Sequence, residues 1–207
     1  MTKEKYIQDL SDIKNMMEKS SRFLSLSGKS GIAAGGSALM GAYAGYEALY
    51  GGDAYFTREL VTVVPYSLII KLGLIALITL VAALGMGFFF TYESAKKQGR
   101  PIWDSSAKHL VSSLAYPLIT GGLVSIILVS KGLIGLVAPT TLIFYGLGLI
   151  SASKYTVSDI HYLGIAEVIL GLLATIFIGY GLFFWAVGFG ILHILYGTIM
   201  YFKYEKE

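Results

Sequence analysis

Two ionisable side chains, Glu167 and His193, lie in the middle of long apolar stretches of the sequence. Glu167 is in "GIAEVILGL" and His193 is in "GFGILHILYG". A carboxylate and an imidazole can exchange a proton with each other or with a bound molecule. Inside a lipid bilayer a lone charge of either kind is costly, so each side chain should pair or be neutral. The first question is therefore whether these stretches cross a membrane.

The composition predicts a membrane protein. Of the 207 residues, 55% are hydrophobic and 14% are charged, whereas soluble domains have about 25% charged residues. The length suits six spans of about 20 apolar residues, so we predict an all-α polytopic bundle with six transmembrane helices. The chain has no cysteine, which excludes disulfides and thiolate metal sites. The predicted spans are about 23–49, 67–92, 107–130, 133–152, 159–178 and 183–202.

The first 22 residues form a separate predicted unit. Within residues 3–21, apolar side chains recur at helical spacing on one face, and the opposite face is charged. The pattern predicts a cytoplasmic amphipathic helix that lies on the membrane surface or caps the bundle; the alternative is a plain extension of the first span. Residues 23–207 would then form the six-helix transmembrane domain.

The lysines and arginines predict the orientation. With the N-terminus in the cytoplasm, thirteen of them fall on that side and two or three on the other. Because cytoplasmic loops are rich in Lys and Arg, both termini are expected in the cytoplasm. The basic loop at residues 96–100 is better explained by this orientation and by contact with anionic lipid than by nucleic-acid binding.

Glu167 and His193 are predicted to meet across the last helical hairpin. If the chain turns at Tyr180, the two residues lie at equal depth, because antiparallel helices have the same rise per residue. Glycines flank both residues at offsets of −3 and +4, on the same helix face: Gly164, Gly171, Gly190 and Gly197. The pattern predicts that Gly164 packs against Gly197 and Gly171 against Gly190. The pair could be a structural hydrogen bond that fixes register, or a proton or ligand site.

Other polar side chains could extend or replace this site. Tyr145 lies at mid-membrane depth in "IFYGLGL", and Tyr116 lies at nearly the same depth across the preceding hairpin. Either could extend a hydrogen-bond chain to Glu167, and aromatic packing is the alternative. His109 and His161 are expected near the cytoplasmic boundary as interfacial hydrogen-bonding groups. Three histidines without a ligand spacing such as HExxH predict no metal or cofactor.

Three segments resemble a family of small bacterial polytopic membrane proteins that have no assigned activity. They are "MMEKSSRFLSLSG" (16–28), "FYGLGLISASKYT" (144–156) and "GYGLFFWAVGFGILHILYGTIMYFKYE" (179–205). The resemblance covers nearly the whole chain and implies a multi-pass protein with six helices in a bacterial inner membrane. Some members carry a carotene-cleaving oxygenase name, which this sequence does not support, since such oxygenases hold iron with four histidines and only three are present here.

The expected function follows from the architecture. Small size, short loops and glycine-rich helix faces favour a non-catalytic membrane subunit or accessory protein, associated with the lipid bilayer and with a protein partner or a second copy. The alternative is a small-solute or ion transporter or channel, proton-coupled through Glu167 and His193. A membrane enzyme or haem protein is disfavoured by the few histidines.

Overall fold

The computed structural model describes residue 23 and residues 26–51, 65–99 and 101–206. The predicted amphipathic helix over residues 1–22 lies outside the described residues. Within those ranges the chain is helical and contains no strand. The long helices, numbered here in chain order, are α1 (Gly28–Tyr50), α2 (Tyr66–Lys97), α3 (Ser105–Ser130), α4 (Val137–Ala152), α5 (Asp159–Ile176) and α6 (Gly181–Tyr204).

Segments that are not regular α-helix flank α4 and interrupt α6. Short 3₁₀ turns, Ile134–Leu136 and Ser153–Tyr155, precede and follow α4. In α6, one α-helical turn leads into a π-helical segment, Ala186–Leu192, before regular α-helix resumes at His193. The π-helical segment lies close to the middle of α6, next to one of the two candidate residues.

Five of the helices, α2 to α6, are long and apolar enough to cross a membrane, with α4 counted together with its flanking 3₁₀ turns. The described part of the chain is therefore all-helical, with the apolar helices expected of a membrane protein. Helix α1 has a suitable length at 23 residues, but its glycines, serines and tyrosines make it less apolar. The predicted spans overlap the observed helices and differ from them mostly at the ends. The largest differences, five residues each, are at the start of α1, which begins at Gly28, and at the end of α2, which continues to Lys97.

Short connections join the helices. Gly132, in the turn after α3, and Gly179, in the turn before α6, adopt positive φ angles of 76° and 102°, a conformation that glycine adopts without strain. Asp104 caps α3 by accepting a hydrogen bond from the backbone N–H of Ala107, at 2.7 Å. Ser158 occupies the N-cap position of α5 without a side-chain capping bond.

The helices form two groups of three. In the first half, α1 packs between α2 and α6, and in the second half, α4 packs between α3 and α5. Helix α6 also contacts α4 and α5, so it joins the two halves. Helices α2 and α3 lie at the outside of the arrangement, and most of their apolar surface is exposed.

One end of the bundle carries most of the described lysines and is called the basic end. It contains the start of α1, α3 and α5 and the end of α2, α4 and α6. Lys203 of α6 bonds both carboxylate oxygens of Asp159 of α5 there, at 2.8 and 3.0 Å. The backbone N–H of Phe23 also donates to the carbonyl of Tyr155, at 2.7 Å. The opposite end, called the far end, contains Tyr50, Tyr66 and the turn before α6.

Candidate functional site

Helices α1 and α6 approach each other through glycines. A Cβ atom on Gly197 would lie 2.5 Å from the carbonyl oxygen of Gly28. A Cβ on Gly35 would lie 2.6 Å from the carbonyl oxygen of Gly190. No side chain fits at such distances, so the two backbones touch directly, as small residues allow in membrane helices. This contact holds the first half together.

Helices α4 and α5 have the same kind of contact in the second half. A Cβ on Gly146 would lie 2.6 Å from the carbonyl oxygen of Gly164, and the reverse distance is 2.8 Å. Two turns of α5 towards the far end, a Cβ on Gly171 would lie 2.9 Å from the backbone nitrogen of Ile143 and 3.0 Å from the carbonyl oxygen of Pro139. Backbone contact therefore continues along the pair.

The predicted packing of α5 glycines against α6 glycines is wrong. Gly164 and Gly171 face α4, whereas Gly190 and Gly197 face α1. Spacing identifies which side of a helix carries glycines, but it does not identify the helix that covers this side. Helix α5 uses these glycines to contact α4, and α6 uses its glycines to contact α1, so the glycines do not pair across the last hairpin.

Glu167 and His193 nevertheless lie side by side, at the boundary between the halves. The Nδ1 atom of His193 is 3.5 Å from Oε1 of Glu167. Glu167 is 0% exposed and His193 is 8% exposed. The predicted proximity of the two residues is present in the structure, and their role stays a prediction.

The imidazole of His193 has two further polar neighbours. Its Nδ1 atom is 3.0 Å from the carbonyl oxygen of Gly188, and its Nε2 atom is 2.7 Å from the hydroxyl of Tyr145. With a neutral ring protonated at Nδ1, that N–H donates to Gly188 and the Tyr145 hydroxyl donates to Nε2. Tyr145 of α4 thus joins the cluster through His193, as one of the two predicted extensions. Its ring also packs against Phe189, with centroids 4.9 Å apart.

Gly188 makes room for the Glu167 carboxyl. A Cβ at this position would lie 2.5 Å from Oε2 of Glu167 and 2.6 Å from Leu142, whose side chain is fully buried. Gly188 is in the π-helical segment. Its carbonyl oxygen faces the ring atom Nδ1 of His193, five residues later. Sequence reasoning missed Gly188, because π-helical segments have no simple sequence signal; they do occur frequently at functional sites.

The carboxyl oxygens of Glu167 are buried without a hydrogen-bond partner among the described residues. The His193 Nδ1–H is directed at Gly188 at the shorter distance, which leaves Glu167 at 3.5 Å as a close but unbonded neighbour. Buried polar groups in proteins are nearly always bonded, so an unbonded one requires an explanation. A carboxyl beside an imidazole can take up a proton and pass it on.

The other predicted residues lie outside this cluster. Tyr116 is 75% exposed on the surface of α3 and does not extend the site, because equal depth does not mean equal direction around a helix. His109 stacks on Tyr155, with ring centroids 5.3 Å apart. His161 lies with Nδ1 3.4 Å from the Ser153 hydroxyl. In the described part of the chain, no three His, Asp or Glu side chains come together as a metal site would require.

Comparison with known proteins does not add a relative to this description. No family model, no curated protein and no solved structure matches the chain.

Proposed function

We propose that the protein is a proton-coupled carrier of a small solute or ion, in which Glu167 binds the transported proton and His193 and Tyr145 assist it. One observation carries this proposal: the Glu167 carboxyl is fully buried at the boundary between two helical halves, has no hydrogen-bond partner among the described residues, and lies 3.5 Å from an imidazole. Ionisable groups at mid-membrane positions frequently belong to proton pathways.

A purely structural role explains the geometry less well. A polar pair stabilises a membrane bundle when its hydrogen bonds are made, and Glu167 makes none within the described residues. An apolar side chain of the same size would pack in this place without a desolvation cost. The sequence therefore carries an acid where stability alone favours an apolar residue.

The division into halves supports a carrier. Backbone contacts at glycines hold α1 to α6 and α4 to α5, so each half can move as a unit. The proposed proton site includes Tyr145 and Glu167 from the second half and His193 from the first half. Many carriers bind their cargo near the membrane midplane between two such units, which tilt relative to each other.

The proposal includes six spans in the inner membrane of a bacterium, with the basic end in the cytoplasm. Helix α1, with 23 residues, is about 35 Å long at 1.5 Å per residue, which is enough for a hydrocarbon core of about 30 Å. Its packing between α2 and α6 supports its assignment as a sixth span. The excess of Lys and Arg supports the orientation, and the family resemblance supports the bacterial origin.

Proton flux into proteoliposomes tests the proposal. Vesicles loaded with a pH-sensitive dye would be exposed to a potassium diffusion potential, and proton entry would be compared between the wild-type protein and the Glu167→Gln variant. We expect wild-type flux well above that of protein-free vesicles, and loss of this excess in Glu167→Gln. The matched control is Glu47→Gln, which changes an exposed carboxyl of α1. Equal flux and equal pH dependence in wild type and Glu167→Gln would contradict the proposal.

A second candidate is the non-catalytic membrane subunit or accessory protein, which binds a protein partner or a second copy. The exposed helices α2 and α3 favour it, because a Cβ on Gly85, Gly87 or Gly122 would meet no atom within 4 Å. Such open small-residue surfaces allow another helix to approach. The mass of the protein after mild solubilisation from its own membrane tests this candidate: a stable complex supports it, whereas a monomer with transport activity contradicts it.

A further inference from the structure

The two ring nitrogens of His193 face different kinds of hydrogen-bonding group. Nδ1 is 3.0 Å from the carbonyl oxygen of Gly188, and a carbonyl oxygen can only accept a hydrogen bond. Nε2 is 2.7 Å from the hydroxyl of Tyr145, and a hydroxyl can donate or accept. A nitrogen lone pair directed at the Gly188 carbonyl would be repelled, so Nδ1 carries a hydrogen whether the ring is neutral or charged.

Tyr145 determines which of these two states the ring adopts. In an imidazolium Nε2 also carries a hydrogen, so the Tyr145 hydroxyl would have to accept, and its own hydrogen would need another acceptor. Among the described residues, His193 is the one hydrogen-bond partner of this hydroxyl. An unsatisfied donor inside the bundle costs free energy. The contact therefore favours a neutral ring, with the hydroxyl donating to Nε2.

Aromatic packing keeps the ring in this orientation. The His193 ring lies beside that of Tyr145, with centroids 5.3 Å apart, and is stacked on Phe189, with centroids 6.0 Å apart. Helix α1 meets only the backbone here, since a Cβ on Gly31 would lie 3.2 Å from the His193 carbonyl oxygen. In the described part of the chain, no third His, Asp or Glu joins His193 and Glu167. The titratable side chains that face the ring there are thus Tyr145 of α4 and Glu167 of α5.

The Nδ1–H group of His193 has two acceptors close to it. The Gly188 carbonyl oxygen is 3.0 Å from Nδ1, and Oε1 of Glu167 is 3.5 Å from it. An ionised carboxylate is a stronger acceptor than a backbone carbonyl, and a small rotation of the Glu167 side chain brings Oε1 within hydrogen-bond distance. The bond would offset part of the cost of a buried negative charge, which has no other donor among the described residues.

We infer that Tyr145 is a positioning residue: its hydroxyl keeps His193 neutral with the hydrogen on Nδ1, so that His193 acts as a hydrogen-bond donor to the Glu167 carboxylate and is not itself a proton carrier. The inference rests on the proposed function. When Glu167 releases its proton, the O–H bond of the carboxyl breaks, the proton leaves to water and the electron pair stays on the carboxylate. The His193 Nδ1–H turns from Gly188 to this carboxylate and keeps its own proton.

Nitrogen NMR of isotope-labelled histidine tests this role in a protein with intact Tyr145. The substitutions His109→Gln and His161→Gln, both outside the cluster, leave His193 as the one labelled residue. The ionisation of Glu167 is followed in parallel by the infrared band of its carboxyl group. Over the pH range in which Glu167 titrates, we expect His193 to stay neutral, with a protonated Nδ1 and a hydrogen-bonded, unprotonated Nε2. A doubly protonated ring, or a hydrogen on Nε2 of a neutral ring, would overturn the inference.

Tyr145→Phe tests the same role by removing the hydroxyl, with the exposed Tyr116→Phe as matched control. The Nε2 lone pair is then free to take a proton, so we expect an imidazolium–carboxylate pair that retains the proton within the cluster. The NMR spectrum should show two protonated ring nitrogens at a pH at which the wild-type ring is neutral. Proton flux should fall about tenfold or more, because a carrier group held in the wrong protonation state no longer transfers protons. Tyr116→Phe should behave as wild type in both measurements.

Two outcomes in Tyr145→Phe would overturn the positioning role while the proposed function stands. The first is flux equal to that in Tyr116→Phe, with flux still lost in Glu167→Gln. The second is reduced flux with His193 still neutral and protonated at Nδ1, which would assign Tyr145 to packing. If Tyr145→Phe does not fold, the spectrum of the protein with intact Tyr145 decides. Unchanged flux in Glu167→Gln would instead contradict the proposed function itself.

Discussion

The contacts within each half and the contacts between the halves are built from different chemistry. Within the halves, glycines bring backbones together, as between Gly197 and Gly28 or between Gly146 and Gly164. Between the halves, the middle of the bundle holds a buried acid, an imidazole and a phenol, and the acid is unbonded within the described residues. The backbone contacts at the glycines have no freedom to rearrange. The boundary between the halves would gain stability from any rearrangement that gives the Glu167 carboxyl a hydrogen bond.

Substitution of a contact glycine should have the largest effect, and it tests the first side of this comparison. In Gly197→Ala the new methyl group would lie 2.5 Å from the Gly28 carbonyl oxygen and 2.6 Å from the Ile32 nitrogen. Because neither backbone atom can move alone, we expect a loss of about 1–3 kcal/mol in the free energy of unfolding.

Gly122→Ala is the matched control for Gly197→Ala. Gly122 is also in a helix, but a Cβ there meets no atom within 4 Å, so alanine should stabilise α3 by up to about 1 kcal/mol. Unfolding in detergent, followed by temperature or denaturant, would measure both variants. Equal stability of Gly197→Ala and Gly122→Ala would mean that the close contact of α1 and α6 is not present.

Removal of the buried acid should have a smaller effect of the opposite sign. Glu167→Met replaces the carboxyl by an apolar group of similar length, so we expect the free energy of unfolding to rise by about 1 kcal/mol or more. The same variant should lose proton flux. If Glu167→Met instead unfolds more easily than wild type, the acid stabilises the boundary and the contrast between the two kinds of contact fails.

The ion pair at the basic end should have the smallest effect. In Asp159→Asn the charged partner of Lys203 is lost, but both side chains are partly exposed, and exposed ion pairs contribute little to stability. We expect no measurable change in the unfolding temperature, and the same result for Glu93→Gln, which removes the exposed partner of Lys97. A clear decrease in Asp159→Asn alone would show that the halves are joined by charge at this end.

The sequence predicts well the level of a residue along the bundle axis, and poorly the direction in which its side chain points around the helix. Constant rise per residue was sufficient to bring Glu167 and His193 to one level, and the turn at Gly179 made their helices adjacent. The partners of the flanking glycines could not be predicted in the same way, because several helices can cover one glycine-rich side. Tyr116 shows the same limit: it has a suitable depth, but its side chain is on the exposed surface of α3.

Local backbone irregularity was also beyond the sequence. Nothing in "AVGFGIL" distinguishes a π-helical segment from regular α-helix, although this segment determines which carbonyl the His193 ring meets.

The winding of the π-helical segment sets the direction in which all later residues of α6 face. The π-helical segment Ala186–Leu192 accommodates an extra residue relative to an α-helix. If it were wound as regular α-helix, every later residue would turn by about 100°. His193 would then leave Glu167 on one side, and Gly197 would leave Gly28 on the other. The winding of this short segment thus links the Glu167–His193 contact to the glycine contact with α1, so rewinding α6 would alter both contacts together.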